Sequence, residues 1–238
     1  MKYNGKVYQA NEINDAIKAA GGTATLTEVL GERFIACGLK EGVVTVDGTP
    51  GNALGAYLDG AEIVVHGNGQ DAVGDTMNEG KIVIFGSVGD TLGYAMRGGK
   101  IFVRDSVCYR AGVHIKEYGD KKPVIVIGKK AGCFLGEYMA GGLIIVLNKD
   151  NAKDPIGDYT GVGMYGGKIL VHAESLDTVL PEQIKCRRME SGELSAFTPY
   201  IKEYAEEFGE DISALTAGDF FLLEPDSKNP YKRLYTNN

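Results

Sequence analysis

Short aliphatic runs recur at near-constant spacing through the middle of this 238-residue chain. Their first residues are separated by 19, 19, 24, 19 and 25 positions, and a weaker copy, Val44–Val46, begins 19 positions upstream. Recurrence at a fixed period indicates one structural unit that is repeated, here with an insertion at two places. The six runs are Ile63–Val65, Ile82–Ile84, Ile101–Val103, Ile125–Ile127, Ile144–Val146 and Ile169–Val171.

A glycine precedes each run at a matching position. It lies eight residues before the first isoleucine in five copies, and Gly112 takes this place in the fourth copy once a five-residue insertion is allowed for. Because a tight bend often requires a positive φ or a close backbone approach, these glycines predict corners. The six structural repeat glycines are Gly55, Gly74, Gly93, Gly112, Gly136 and Gly161.

The length of the repeat determines the fold class. A 19-residue unit is too short for the strand, crossover helix and connections of a βαβ unit. It fits one coil of a parallel β-solenoid, in which alternate strand residues point inward and outward. The sequence therefore predicts an all-β fold, a single-stranded parallel β-helix of about seven coils. Equivalent side chains of successive coils should stack inside it, isoleucine on isoleucine.

The flanking segments are predicted to close the two ends of the solenoid. Near the N-terminus, Asn11 is the expected N-cap of an amphipathic helix, followed by strands over residues 23–29 and 33–37. We expect one continuous structural unit with three parts. These are an α/β lead-in (residues 1–40), the β-helix (41–173) and a helical C-terminal cap with a tail (174–238).

The C-terminal part carries its own signals. Thr198 and Pro199 open a helix with one apolar face. Residues 220–223 are expected to form a short apolar strand or clasp, and residues 226–238 are expected to be an extended tail.

The middle residue of each aliphatic run should point outward, yet it is apolar in every copy. A solvated face would carry polar residues there, so something must cover this row. One alternative is the protein's own C-terminal helix, and the other is a partner subunit. The candidate partner-facing row is Val64, Val83, Phe102, Val126, Ile145 and Leu170.

Composition and charge narrow the possible partners. The formal net charge is −7, which argues against nucleic acid or an anionic membrane as a partner. No run reaches the roughly 18 apolar residues of a membrane span, and the first residues carry no apolar leader, so the sequence predicts a cytoplasmic protein. The four cysteines are widely spaced, which predicts free thiols and not a zinc or iron–sulfur motif.

One segment matches a nucleotide-binding fingerprint. Residues 67–72 satisfy G-x-G-x-x-G/A directly after a strand. A dinucleotide site also needs a helix after the motif, and the short interval before Ile82 leaves no room for one. A solenoid corner is therefore the favoured interpretation.

Other polar residues recur without forming a reactive cluster. Asn52, Asp71 and Asp90 share one corner position, which predicts side chains that cap backbone N–H groups. The histidines lie on different coils, so a metal site shared between them is disfavoured. We predict no catalytic, cofactor-binding or metal-binding residue in this chain. The three histidines are His66, His114 and His172.

Residues 74–101 carry glycine, methionine and isoleucine in phase over one and a half repeats. This run resembles the GXGXG domain, the C-terminal β-helix of the glutamate synthase large subunit, which is shared with one subunit of formylmethanofuran dehydrogenase. The resemblance covers roughly residues 30–172. It implies a right-handed β-helix with a structural role, here as a stand-alone protein.

The resemblance also implies where the chemistry of such an enzyme would be located. In glutamate synthases, glutamine hydrolysis belongs to an N-terminal cysteine nucleophile, and reductive amination of 2-oxoglutarate belongs to a flavin and iron–sulfur domain. Residue 2 here is lysine, and no iron–sulfur cysteine cluster is visible. FMN and iron–sulfur clusters are therefore expected in partner subunits and not in this chain.

Three hypotheses follow. The leading one is a non-catalytic scaffold subunit of a split glutamate synthase-type complex, with amidotransferase and FMN-binding synthase subunits as partners and homo-oligomerisation possible. The second is a scaffold like the related subunit of formylmethanofuran dehydrogenase. The third is a self-sufficient enzyme with a site in the solenoid groove.

Overall fold

A computed structural model describes residues 9–226 of the chain. Eight strands, β1 to β8, pair in parallel and in chain order, and two C-terminal strands extend the sheet antiparallel beyond β8, with residues 220–225 next to β8 and residues 184–188 at the edge. The predicted parallel β-solenoid is confirmed. The parallel strands are β1 (Ala24–Leu30), β2 (Val43–Thr49), β3 (Asp59–His66), β4 (Glu79–Ile84), β5 (Lys100–Val103), β6 (Val124–Ile127), β7 (Ala140–Val146) and β8 (Gly166–His172).

The strands align so that equivalent residues of the repeat lie opposite one another. Ile82 pairs with Ile63 on one side and with Ile101 on the other, and this register continues to Ile169. All six of these isoleucines are fully buried. The solenoid interior is therefore a ladder of like side chains, as the sequence predicts. A second, one-residue ladder runs along the other side of the coils through Gly69, Val88, Val107, Ala131 and Ile156.

The corners are stacked turns of unusual backbone conformation. In one of them, Ala72, Gly74 and Thr76 have φ values of 57°, 70° and 53°, so every second residue is left-handed. The N–H groups of Ala72 and Thr76 donate hydrogen bonds of 2.8 and 2.7 Å to carbonyl oxygens of the next coil. The N–H of Gly74, between them, donates one of 2.9 Å to a carbonyl oxygen of the previous coil. The backbone N–H groups of the turn are therefore hydrogen-bonded although the turn does not have the conformation of a β-strand.

Two features of the structure require glycine at the repeat-glycine positions. All six have φ between 63° and 74°, a region that penalises a β-carbon. A β-carbon on Gly74 would also lie 2.5 Å from Cδ1 of Ile101 in the interior ladder. The neighbouring left-handed positions accept side chains because these side chains point away from the ladder.

Two details of the N-terminal prediction are wrong. The first helix, α1 (Ala10–Ala19), begins one residue after Gln9, which forms a capping box with Glu12. Asn11 lies inside the first turn and is not the N-cap. The second error is the strand over residues 33–37: Phe34 and Ala36 have φ values of 58° and 56°. That segment is the first left-handed turn, and the stacked strands begin at β1.

The C-terminal elements complete the sheet and lie along its outer side. They are β9 (Ile184–Arg188), a short 3₁₀ helix (Glu193–Ala196), α2 (Thr198–Phe208), α3 (Ile212–Thr216) and β10 (Phe220–Pro225). The predicted helix at Thr198 and strand over 220–223 are confirmed, whereas β9 has no counterpart in the prediction. Of the predicted tail, only Asp226 is described, and residues 227–238 lie outside the described range. Within residues 9–226, no helix is long and apolar enough to cross a membrane.

The outward apolar row is covered by the chain itself. Five of its six members are 0% exposed, and only Val64 is partly exposed. They form one cluster with Ile201, Tyr204 and Ala205 of α2. This cover corresponds to the first alternative, the protein's own C-terminal helix, because α2 has the matching apolar face and the chain reaches back over the sheet. The covered residues are Val83, Phe102, Val126, Ile145 and Leu170.

Lysine–glutamate pairs hold α2 in register with the coils. Lys100 Nζ lies 2.5 Å from Glu203, and Lys81, one strand earlier, pairs with Glu207. Four helical residues rise about 6 Å, close to the spacing of about 4.8 Å between adjacent strands. One turn of α2 therefore matches one coil. This places Tyr204 against Phe102, and burial raises the pKa of the Tyr204 phenol.

An ion pair in the segment that precedes α2 predicts how the stability of this region depends on pH. Arg187 donates two hydrogen bonds of 2.7 Å to the carboxylate of Glu193. Together with the backbone N–H of Glu190, it lowers the pKa of Glu193 to about 2. Because this folded pKa lies below the ordinary value of about 4.3, the stabilisation is complete above pH ~4.3 and is lost as the pH falls through the folded pKa.

NMR titration of the Glu193 carboxyl should therefore give a midpoint near 2. In the Arg187→Gln variant the midpoint should return toward about 4.3. A wild-type midpoint at the ordinary value would show that the pair does not form in solution.

Candidate functional site

The stacked turns present side chains to solvent on what we term the turn face. These side chains come from the left-handed positions two residues before and two residues after each repeat glycine, and from their neighbours. In the early coils most of them are small, such as Ala72, Thr76 and Ala95, although Phe34 and Tyr57 are exposed aromatic residues there. In the later coils aromatic and charged side chains predominate. The composition of the turn face therefore changes along the solenoid.

Two files of rings run across the later coils. In the first, Phe134 lies 5.1 Å from Tyr109 and stacks on Tyr159 at 4.8 Å, between ring centroids. In the second, His114 lies 5.9 Å from Tyr94 and stacks on Tyr138 at 5.0 Å. We call these two files, with the residues between them, the aromatic patch.

An ion pair lies at the centre of the aromatic patch. Arg110 Nε is 3.2 Å from Oε2 of Glu137, and the Arg110 Cζ atom is 5.2 Å from the ring centroids of both Tyr109 and Phe134. The Glu137 side chain is only 7% exposed, whereas that of Arg110 is 42% exposed. The buried Glu137 carboxylate orients the guanidinium of Arg110, and the accessible part of that guanidinium can donate hydrogen bonds to a ligand.

The turn backbone sets the position of this pair. Arg110 has φ of 60° and donates its N–H to the carbonyl of Cys133 in the next coil at 2.9 Å. Four residues on, the N–H of His114 donates to the carbonyl of Glu137 at 2.9 Å. The same hydrogen bonds that stack the coils therefore bring Arg110 and Glu137 together.

Comparison with known proteins agrees with this architecture. Residues 2–220 match the GXGXG motif family.

The chain belongs to the GXGXG motif family. The resemblance to the GXGXG domain of glutamate synthase type is thereby confirmed. Because the match extends to Phe220, it includes α2 and its contact with the outward row. A protein of Methanocaldococcus jannaschii, "Uncharacterized protein MJ1350", is 42% identical over 242 residues, covering 98% of this chain and 91% of that protein.

In this GXGXG protein, the three histidines have separate structural surroundings. His66 Nδ1 contacts Asp47 at 2.7 Å, and His172 Nδ1 contacts the carbonyl of Leu147 at 2.9 Å. His114 belongs to the second aromatic file. Among residues 9–226, no group of three or more His, Cys, Asp or Glu side chains could hold a metal ion.

The fingerprint-like segment of this GXGXG protein is a solenoid corner. A β-carbon on Gly67 would lie 2.1 Å from the carbonyl oxygen of Gly48, so glycine is required there by the contact between coils. The segment leads into the turn that contains Gly74 and not into a helix. Its Asp71 accepts the N–H of Asp90 at 2.9 Å, and Asp90 in turn accepts that of Tyr109 at 3.0 Å. These carboxylates cap the next coil.

Inspection of the sequence missed Arg110, Glu137 and the aromatic files. A signal for them was present in the repeat alignment. The positions two residues before and after the repeat glycine are predominantly aromatic or charged in the later coils, at Arg110, His114, Phe134, Tyr138 and Tyr159, whereas in the earlier coils only Phe34 and Tyr57 are aromatic there.

Proposed function

We propose that this chain is a non-catalytic scaffold subunit of a split glutamate synthase-type complex. Its partners are a glutamine amidotransferase subunit and an FMN-binding, iron–sulfur synthase subunit, which together serve glutamate biosynthesis in the cytoplasm. The chain itself contributes a rigid solenoid and carries no cofactor.

The observation that carries this proposal is the contrast between the two faces of the solenoid. The chain covers the apolar outer side of the sheet with its own α2, while it leaves aromatic side chains accessible on the turn face. Aromatic residues and arginine are enriched in the centres of protein interfaces. Membership in the GXGXG motif family supports the glutamate synthase-type partners.

Co-elution of purified subunits tests the proposal. The chain should form a stable complex with the amidotransferase subunit, the FMN subunit or both, in size-exclusion chromatography with light scattering. A specific interface of this kind buries on the order of 1,600 Å² and should persist at micromolar concentrations. Separate elution of all three proteins at 50 µM each (about fifty times a micromolar Kd) would contradict the proposal.

A further inference from the structure

We propose that the aromatic patch binds a segment of a partner subunit that inserts a carboxylate between apolar side chains, with Arg110 as its anchor. The proposal rests on the scaffold function above and adds the location and chemistry of one interface. Its support comes from the geometry of Arg110, from the charge around it and from the extent of the ring files.

The Arg110 side chain is held in place by contacts with one carboxylate and two aromatic rings. Its Nε is buried against Glu137, and its guanidinium contacts the rings of Tyr109 and Phe134. Neither Arg110 Nε nor Glu137 Oε2 makes a hydrogen bond of good geometry within residues 9–226. No other described side chain pairs with the terminal nitrogens of Arg110. These nitrogens remain available to a ligand, and a guanidinium presents them in a planar fork that matches a carboxylate.

The charge around the site favours a single carboxylate. Glu137 contacts only Nε of Arg110, so the site offers an anion the terminal nitrogens of one guanidinium, and His114 is the one basic side chain in the two ring files. A phosphate group, with its greater charge, would find too few cations here. A carboxylate that accepts two hydrogen bonds needs only the one guanidinium.

The size of the patch favours a protein segment over a small molecule. The first ring file spans three successive coils, from Tyr109 to Tyr159. At a spacing of about 4.8 Å between coils, that is roughly 10 Å along the solenoid. Rings of this kind supply large contact area with little loss of side-chain entropy, and they shield a central polar contact from water.

The test measures binding of variants to the separately purified amidotransferase and FMN subunits. Removing Arg110 alone would leave Glu137 buried and unpaired, so the central variant is the double substitution Arg110→Gln with Glu137→Gln, which removes both charges and keeps the shape of the Glu137 side chain. It should weaken binding of the subunit that uses the patch by on the order of 30- to 1,000-fold. Phe134→Ala should weaken it by on the order of 10-fold.

A matched control separates the patch from exposed rings in general. Tyr118 is 69% exposed and lies in the insertion after the fifth turn, outside both files. Tyr118→Ala should leave the Kd within about 2-fold of wild type, because exposed residues outside an interface contribute little. Circular dichroism and the urea midpoint of each variant check that it is folded.

The outcomes separate this inference from the function on which it rests. If wild type binds neither subunit, the scaffold function fails. If wild type binds a subunit and the double variant binds it equally well, the function stands and the patch is not the interface. If the wild-type chain dimerises and the double variant does not, the occupant is a second copy, and the inference is overturned.

Discussion

Replacing Gly74 with alanine should lower the free energy of unfolding by about 2–4 kcal/mol. The new β-carbon would lie 2.5 Å from Ile101 Cδ1 and would sit on a residue with φ of 70°. The left-handed conformation costs an L-residue about 1–2 kcal/mol, and overpacking of a filled core adds about 1–3, partly offset by the lower entropy of the unfolded chain. Urea unfolding followed by far-UV circular dichroism measures the change.

Gly119 provides a control that separates the two causes. Its φ is 60°, but a β-carbon there would meet nothing within 4 Å. Gly119→Ala should therefore cost only about 1 kcal/mol. Ile101→Val removes the Cδ1 atom that the new β-carbon at position 74 would meet, so in a double-mutant cycle the two changes should couple favourably by about 1 kcal/mol. Equal losses for Gly74→Ala and Gly119→Ala would refute the role of the interior ladder.

The second large effect is expected at the covered outer row. Phe102 is fully buried between the sheet and α2, and its ring meets that of Tyr204 edge-on at 6.2 Å between centroids. Phe102→Ala should lower the free energy of unfolding by about 3–5 kcal/mol, since it removes a large side chain and leaves a cavity. The same urea experiment measures it.

Phe34 is the corresponding control, because it is 48% exposed on the first turn. Phe34→Ala should cost less than about 1 kcal/mol. A similar loss for both phenylalanines would mean that α2 does not cover the row in solution.

The repeat could be predicted from sequence because it depends on short-range regularity. Each coil uses the same inward isoleucine and the same corner glycine, so a 19-residue period predicts both the ladder and the bends. The sequence of the first turn predicts a strand because Ala36 occupies the position at which later coils have the repeat glycine. A left-handed alanine gives no signal in a sequence.

The contact between the outward apolar row and α2 could not be predicted from the sequence and was seen only in the three-dimensional structure. The row and the helix are each apolar, but the sequence does not show that they meet. Pairs such as Lys100 with Glu203 are 103 residues apart. The Arg110–Glu137 pair escaped notice for a different reason. It depends on which residues of adjacent coils lie side by side, and the five-residue insertion after Ile115 shifts that alignment.

Reconstitution of glutamate formation tests the scaffold account most directly. The amidotransferase subunit and the FMN, iron–sulfur subunit are mixed with glutamine, 2-oxoglutarate and a reductant, with and without this chain, and glutamate formed by reduction of 2-oxoglutarate is followed with labelled 2-oxoglutarate. The account predicts that glutamine-dependent reduction requires all three proteins and rises at least about tenfold when the chain is added, as expected when a shared scaffold raises the effective concentration of the two subunits. Equal rates with and without the chain would contradict it.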